Sequence, residues 1–321
     1  MMTREKFYSE VEQGIRAYLP EEYKESSVSI MHTLKQNDVE RTSISIRMPE
    51  ETICPVIYLE PFYDAYENGK TMDSILKEIS MVRINSVDDS LRRFDYGAIM
   101  DYSYVQGRLQ TRLYDTERNA KKLKELVHKN LGDFSAAYSI DMGGDANHSM
   151  AVMVKPELFM NWGITEEKLH EDSLKADLGR NPRLCSLFSM IECITEGRQA
   201  VNYMEHPELI KKDMDTPMLI LTNGTSSFGA SLIIHPDIQE KIAECMGGDY
   251  YVLPSSVHEV IIVPADGRAE LSVRELNDMV RQINETQVAP EEQLSDKVQY
   301  YDSRKRVLMN AAEHEQERAD E

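Results

Sequence analysis

One pattern recurs three times in this 321-residue chain: an apolar run, an X-Pro step, a short mixed segment, then glycine. Val56-Ile57-Tyr58-Leu59-Glu60-Pro61 runs to Asn68-Gly69. Ala151-Val152-Met153-Val154-Lys155-Pro156 runs to Trp162-Gly163. Leu232-Ile233-Ile234-His235-Pro236 runs to Met246-Gly247-Gly248. Proline suits the first turn of a helix, where its missing N–H has no partner to lose, and glycine suits the left-handed residue after the last turn. Each copy therefore predicts a strand followed by a helix with a defined start and stop. Each also follows another strand-like run, at residues 42–48, 134–142 and 218–222. A lone hairpin is marginal in water, and each helix has an apolar stripe to cover. The predicted class is α+β: repeated strand–strand–helix units forming antiparallel or mixed sheets, with helices packed on one face.

Local signals fill in the rest. Phe7, Val11, Ile15 and Tyr18 share a helical stripe behind Thr3, and Pro20 ends it. Residues 28–34 and 42–48 alternate around Asn37-Asp38 as a hairpin, and 53–59 adds a third strand. Thr71 caps a helix with the stripe Met72, Ile75, Leu76, Ile79 and Val82. Residues 85–107 are polar and irregular, so a seam is expected there. Asp115 or Thr116 is predicted to cap a helix carrying Ala120, Leu123, Val127 and Leu131, and Gly143-Gly144-Asp145 to turn a hairpin. Thr165 caps another helix, stapled by Ile164 and Leu169, and Leu184, Leu187, Phe188 and Ile191 suit a further one. Ser272-Val273-Arg274-Glu275 is a capping box before the stripe Leu276, Met279, Val280 and Ile283. A last strand is expected at 298–301. The predicted division is an N-terminal α+β unit at 1–107, a C-terminal α+β region at 108–302, and a charged tail at 303–321.

Charge narrows the function classes. The formal net charge is −20, from 56 acidic and 36 basic residues. Such a chain repels phosphate backbones and anionic membranes, which disfavours nucleic acid as a partner. The acids are spread through the chain rather than clustered as a nucleic-acid mimic would need. No apolar run approaches the roughly 20 residues that span a bilayer. The N-terminus opens into a charged amphipathic segment without a signal-peptide core, so a cytoplasmic protein is expected. Cys54, Cys185, Cys193 and Cys245 lack C-x-x-C spacing and sit in apolar neighbourhoods, so they read as buried thiols. No cofactor is expected.

The one concentration of chemical side chains is Pro254-Ser255-Ser256-Val257-His258-Glu259, embedded in apolar sequence from Tyr250 to Pro264. His258 and Glu259 are predicted to interrupt a buried strand near its start, where a stranded charge is costly and desolvation shifts pKa values. Ser255, Ser256, His258 and Glu259 are therefore the candidate catalytic residues. Ser256 and His258 fall on one face as nucleophile and base, but Glu259 falls on the other, so a third residue must come from elsewhere, for instance Asp249 or Asp237. The plainer reading is a turn whose polar groups are satisfied by backbone. No metal is expected: His258-Glu259 lacks the H-E-x-x-H spacing, and His32, His128, His148, His170, His206 and His235 are scattered. A composite site from His235 and His258 is the remaining metal option. Asn223-Gly224-Thr225-Ser226-Ser227-Phe228-Gly229 lacks a P-loop lysine and is read as a hairpin loop leading into a strand. Met150, Met153, Met160, Met190 and Met279 are read as core filling, and Tyr63, Tyr66, Tyr96, Tyr102 and Tyr104 as aromatic packing.

Four segments carry a resemblance: residues 56–69, 162–167, Tyr251-Val252-Leu253-Pro254-Ser255-Ser256-Val257-His258-Glu259-Val260, and 284–292. Together they resemble an uncharacterised bacterial domain-of-unknown-function family of gut-type anaerobes, over roughly residues 1–302. Trp162-Gly163-Ile164-Thr165 is more distantly similar to the YtpQ-type family, also without assigned activity. The resemblance implies a bacterial intracellular protein and supplies no reaction. With no complete catalytic constellation, the expected role is a non-catalytic protein- or ligand-binding module. The alternative is a hydrolase with a polar site at the Pro254–Glu259 turn. A third reading is an accessory protein in defence or mobile-element biology.

Overall fold

A computed structural model describes residues 2–51, 54–86, 96–144, 149–196, 200–210, 218–266 and 271–320. The chain divides into two compact units, one of Met1–Lys35 with Val39–Ile99, the other of Gln36–Asp38 with Met100–Glu321.

The first unit has helices on one face of a three-stranded antiparallel sheet. Helix Arg4–Gly14 starts at Thr3, whose hydroxyl accepts from the Lys6 N–H. Strand β1 (Ser27–Leu34) pairs antiparallel with β2 (Glu40–Arg47), and β2 with β3 (Val56–Tyr58). Ile44 and Ile46 of β2 and Ile57 of β3 gather in one core with Phe7, Val11 and Ile15 and with Ile75, Leu76 and Ile79 of helix Met72–Asn85. Pro61 stands in the first turn of helix Glu60–Glu67, and Gly69 follows it at φ +94°. Val82 departs from the predicted stripe and is exposed. Phe7, Tyr63 and Tyr66 pack ring on ring, with Phe7–Tyr63 centroids 5.3 Å apart.

The second unit holds two antiparallel sheets. In one, β4 (Leu109–Asp115), β6 (Phe134–Gly144) and β5 (His128–Leu131) lie side by side, with β7 (Ser149–Met153) also on β6. Helix Glu166–Leu178 rests on β4, where the hydroxyls of Ser173 and Thr111 meet at 2.8 Å. The other sheet runs β13-β12-β10-β11-β9-β8: β8 is Arg183–Ser186, β9 Leu219–Thr222, β10 Tyr250–Leu253, β11 Val260–Pro264, β12 Gln299–Asp302 and β13 Val307–Asn310. One core gathers Leu221, Val252, Val260 and Ile262 of this sheet with Ile238 and Ile242 of helix Pro236–Met246. A second forms around helix Val273–Gln287, whose capping box is made in full. Gln36–Asp38 belong here; the Asp38 carboxylate accepts from the Lys121 and Lys122 N–H groups at 2.9 Å each.

Pro156 opens helix Pro156–Trp162 after β7, and Gly163 closes it at φ +63°. Pro236 opens its helix too, and Gly247 ends it at φ +82°. The third copy departs in its first half: Leu232-Ile233-Ile234 is part of the 3-10 helix Gly229–Ile234, not a strand. The partner that 218–222 was expected to find there is supplied by β11 and β8. The helix expected after Asp115 is only Ala120–Leu123; Leu131 lies on β5. Asp115 caps a turn instead, accepting from the Glu117 and Arg118 N–H groups. Leu184 lies on β8, while Phe188 and Ile191 sit on helix Leu187–Glu196 at 61 % and 50 % exposure. Met160 is 70 % exposed and fills no core. Residues 303–320 contribute β13 and helix Ala311–Asp320, and His314 stacks on Tyr300 at 3.9 Å. Among the described residues no helix is long and apolar enough to cross a membrane.

Candidate functional site

His258 and Glu259 lie in a bend just before β11, both half-buried, not inside a buried strand as expected. Backbone bonds fasten the preceding turn: Ser295 N–H donates to Pro254 O, Leu294 N–H to Ser255 O, and Val257 N–H to Glu292 O. Ser255 and Ser256 are buried. Ser256 and His258 do meet, but through the backbone: the His258 N–H donates to Ser256 Oγ at 3.0 Å. The imidazole faces elsewhere. Its Nδ1 accepts from the Phe228 N–H at 3.3 Å, and its Nε2 is 3.7 Å from Glu292 Oε1. Glu292 is thus the carboxylate beside His258. Asp249 instead accepts from Tyr300 and Ser303, and Asp237 lies in the first turn of its helix.

The bond to Phe228 leads into the loop of residues 223–229. Asn223 Oδ1 accepts from the N–H groups of Thr225 and Ser227, the Gly224 N–H reaches Arg180 O at 2.9 Å, and the Ser226 N–H reaches Asn223 O. With Phe228 held by His258, these N–H groups are consumed and cannot cradle a phosphate. The loop leads into the 3-10 helix, not a strand. Gly229 is required by space: a Cβ there would lie 2.6 Å from Thr222 Oγ1 and 2.7 Å from both Asn223 N and His258 O.

Ser226 and Phe228 have φ +50° and +54°, and Asn181, beside Arg180, has φ +56°. Left-handed backbone is costly for residues other than glycine, most of all for bulky ones, and such strain concentrates at functional sites. Here Asn181 follows Arg180 directly, and Ser226 and Phe228 lie in the loop that bonds to the Arg180 carbonyl through Gly224. The Arg180 carbonyl holds Gly224; its NH1 donates to Asp141 Oδ2 at 2.8 Å and its NH2 to Leu109 O at 3.3 Å. Its buried Nε has no hydrogen-bond partner among the described residues and lies 3.9 Å from Asp177 Oδ1.

Arg112, on β4, stacks its guanidinium 3.2 Å from the centre of the Phe228 ring, and that ring tilts on His258 at 5.2 Å. Arg112 Nε donates to Ser139 Oγ at 2.9 Å; among the described residues no acceptor takes its terminal nitrogens. Burial pulls its pKa down to about 10, with the Arg180 charge adding to the effect. Burial pushes Asp177 up to about 7 against the Thr111 bonds and the two guanidiniums. At Asp141 burial also works upward, but the Arg180 bond and the Gly143 N–H outweigh it, and the net shift is down.

Arg180 and Asp141 open onto a cleft of 330 Å³, lined also by Gly107, Arg108, Gly143, Ala176 and Gly179. Arg108 is exposed and lies over the Tyr104 ring at 4.5 Å. Sequence reading missed this corner. Its signal is faint: Arg112 amid the mixed residues of β4, and Ser139 and Asp141 at alternate positions of β6.

His170 and His235 are both buried, and burial pulls each down to about 4. His170 Nδ1 meets the Tyr138 hydroxyl at 3.1 Å, and His235 Nε2 has no partner. No group of three or more His, Cys, Asp or Glu among the described residues is arranged to hold a metal ion.

The model of a family of unknown function (DUF5688) matches residues 4–303, and the chain belongs to that family. No curated protein and no solved structure matches it.

Proposed function

We propose that this is a non-catalytic binding module whose ligand is a small molecule seated in the cleft at Arg180, not at the Pro254–Glu259 turn. One observation carries the reading: the carbonyl of Arg180, which lines the cleft, holds Gly224 of a loop that carries two left-handed residues, Ser226 and Phe228, and left-handed Asn181 follows it in the chain. Such conformations cost about 1–3 kcal/mol each and persist where the surroundings over-determine them. The volume is at the small end of the range for ligand sites. Free thiols at Cys54, Cys185 and Cys245 fit a reducing, cytoplasmic setting.

The hydrolase alternative has less support. A serine nucleophile needs the imidazole of its base within hydrogen-bond reach, and His258 Nδ1 is engaged by the Phe228 N–H. Exposed Phe188 and Ile191 favour a protein partner in place of a small ligand, but they form no cleft with converging polar groups.

The test is ligand-observed NMR with a set of small polar fragments against the wild type and Ala176→Trp, which fills the cleft. Binding to the wild type that the substitution abolishes is expected. Binding indifferent to Ala176→Trp contradicts the placement. A serine-directed activity probe is expected to leave the wild type unlabelled; labelling that Ser256→Ala removes would restore the hydrolase.

A further inference from the structure

Within that cleft reading, we infer that the ligand presents an oxyanion, a phosphate or carboxylate with at least two oxygens, and that Arg108 and Arg180 grip it. The inference rests on the cleft being the binding site, and it names the chemistry that the cleft selects.

The argument begins with charge. Three guanidiniums, Arg108, Arg112 and Arg180, gather at this corner with two carboxylates, Asp141 and Asp177. Three guanidiniums against two carboxylates leave the cluster a cationic excess, and burial pushes the Asp177 carboxyl up toward its neutral form. The chain as a whole carries −20, so a cationic pocket stands against the field of its surface.

Donor geometry points the same way. Arg180 spends NH1 on Asp141 and NH2 on Leu109 O, one hydrogen from each nitrogen, and among the described residues no acceptor takes the second hydrogen of either. Its position is fixed through its carbonyl by the strained loop. Arg108 is in no ion pair among the described residues, and its planar fork lies on Tyr104. Two guanidiniums, one held by its partners and one exposed, match an anion with several oxygens better than a neutral molecule. Arg112 supplies charge behind the wall. Asp141 sets the limit: it lies at the cleft and repels an anion unless Arg180 stays paired with it, so a compact anion fits better than an extended one.

The binding test is calorimetric titration of the full chain with inorganic pyrophosphate and, separately, citrate, at low and high sodium chloride. At least one is expected to bind saturably, more weakly in high salt. Arg108→Ala, at an exposed position, should weaken it about 10- to 100-fold, as expected for a charge-assisted hydrogen bond. Arg180→Lys should weaken it further while the thermal transition shows the chain still folded. Pyrophosphate alone binding assigns a phosphate ligand; citrate alone assigns a carboxylate. If neither binds, or if Arg108→Ala changes nothing, the inference is overturned. Neutral fragments that bind the wild type and not Ala176→Trp would then leave the cleft reading standing.

Discussion

Arg83 in the first unit is buried and Arg112 in the second half-buried, and the surroundings of the two guanidiniums differ in kind. Arg83 has no exposed surface. Its NH2 meets both oxygens of Glu51 at 2.6 Å, its Nε donates to Ile46 O, and it lies 5.0 Å from the Tyr23 ring centre. Among the described residues Arg112 has one hydrogen bond and a ring. A charge that is paired and bonded on every side is part of a core; Arg112, with fewer acceptors and beside left-handed Phe228, stands behind the wall of the Arg180 cleft.

The largest effect should come from the saturated arginine. Glu51→Ala strands Arg83 and should cost about 3–5 kcal/mol by urea denaturation, whereas replacing both partners by apolar residues should cost far less. A loss under about 1 kcal/mol for Glu51→Ala would erase the contrast. Next comes Asp177. Folded, it titrates at about 7 against 3.8 unfolded, so the native state binds the extra proton between those values. Its contribution is most favourable below about pH 4 and is lost as pH rises through 7, by up to about 4 kcal/mol at 1.36 kcal/mol per unit. Asp177→Asn keeps an acceptor for Thr111 and should flatten that slope. His170 and His235 act oppositely, destabilising as pH falls from 6.5 to about 4, so the difference between variant and wild type isolates Asp177. Gly229→Ala should cost about 1–3 kcal/mol in thermal melts, because its Cβ meets backbone that cannot yield. Smallest of all, Ser226→Gly should stabilise by about 0.5–1 kcal/mol, since glycine accepts φ +50° without strain. No gain there would mean that the loop is not strained.

The first unit was easily legible. Thr3, Pro20, Thr71 and the stripe Phe7, Val11, Ile15 are local signals, and local rules decide that region. The second unit resisted where partners are distant in sequence. Leu232-Ile233-Ile234 has strand composition, yet β9 takes β11 and β8 as neighbours, so the run winds into a 3-10 turn. Leu131 fits a helical stripe, but pairing with Phe134 makes it strand. Ser256 and His258 drew the eye because apolar residues surround them. Arg112, Asp141, Asp177 and Arg180 lie on separate elements that only folding assembles, and no spacing rule joins them.

The most direct test follows the arginine Nε–Hε resonances by NMR while pyrophosphate and then citrate are added. Saturable shifts at Arg108 and Arg180 with at least one of them, and none at the saturated Arg83, are what an oxyanion seated in the cleft requires. Arg83 shifting alongside them, or Arg108 and Arg180 staying still with both anions, would contradict it.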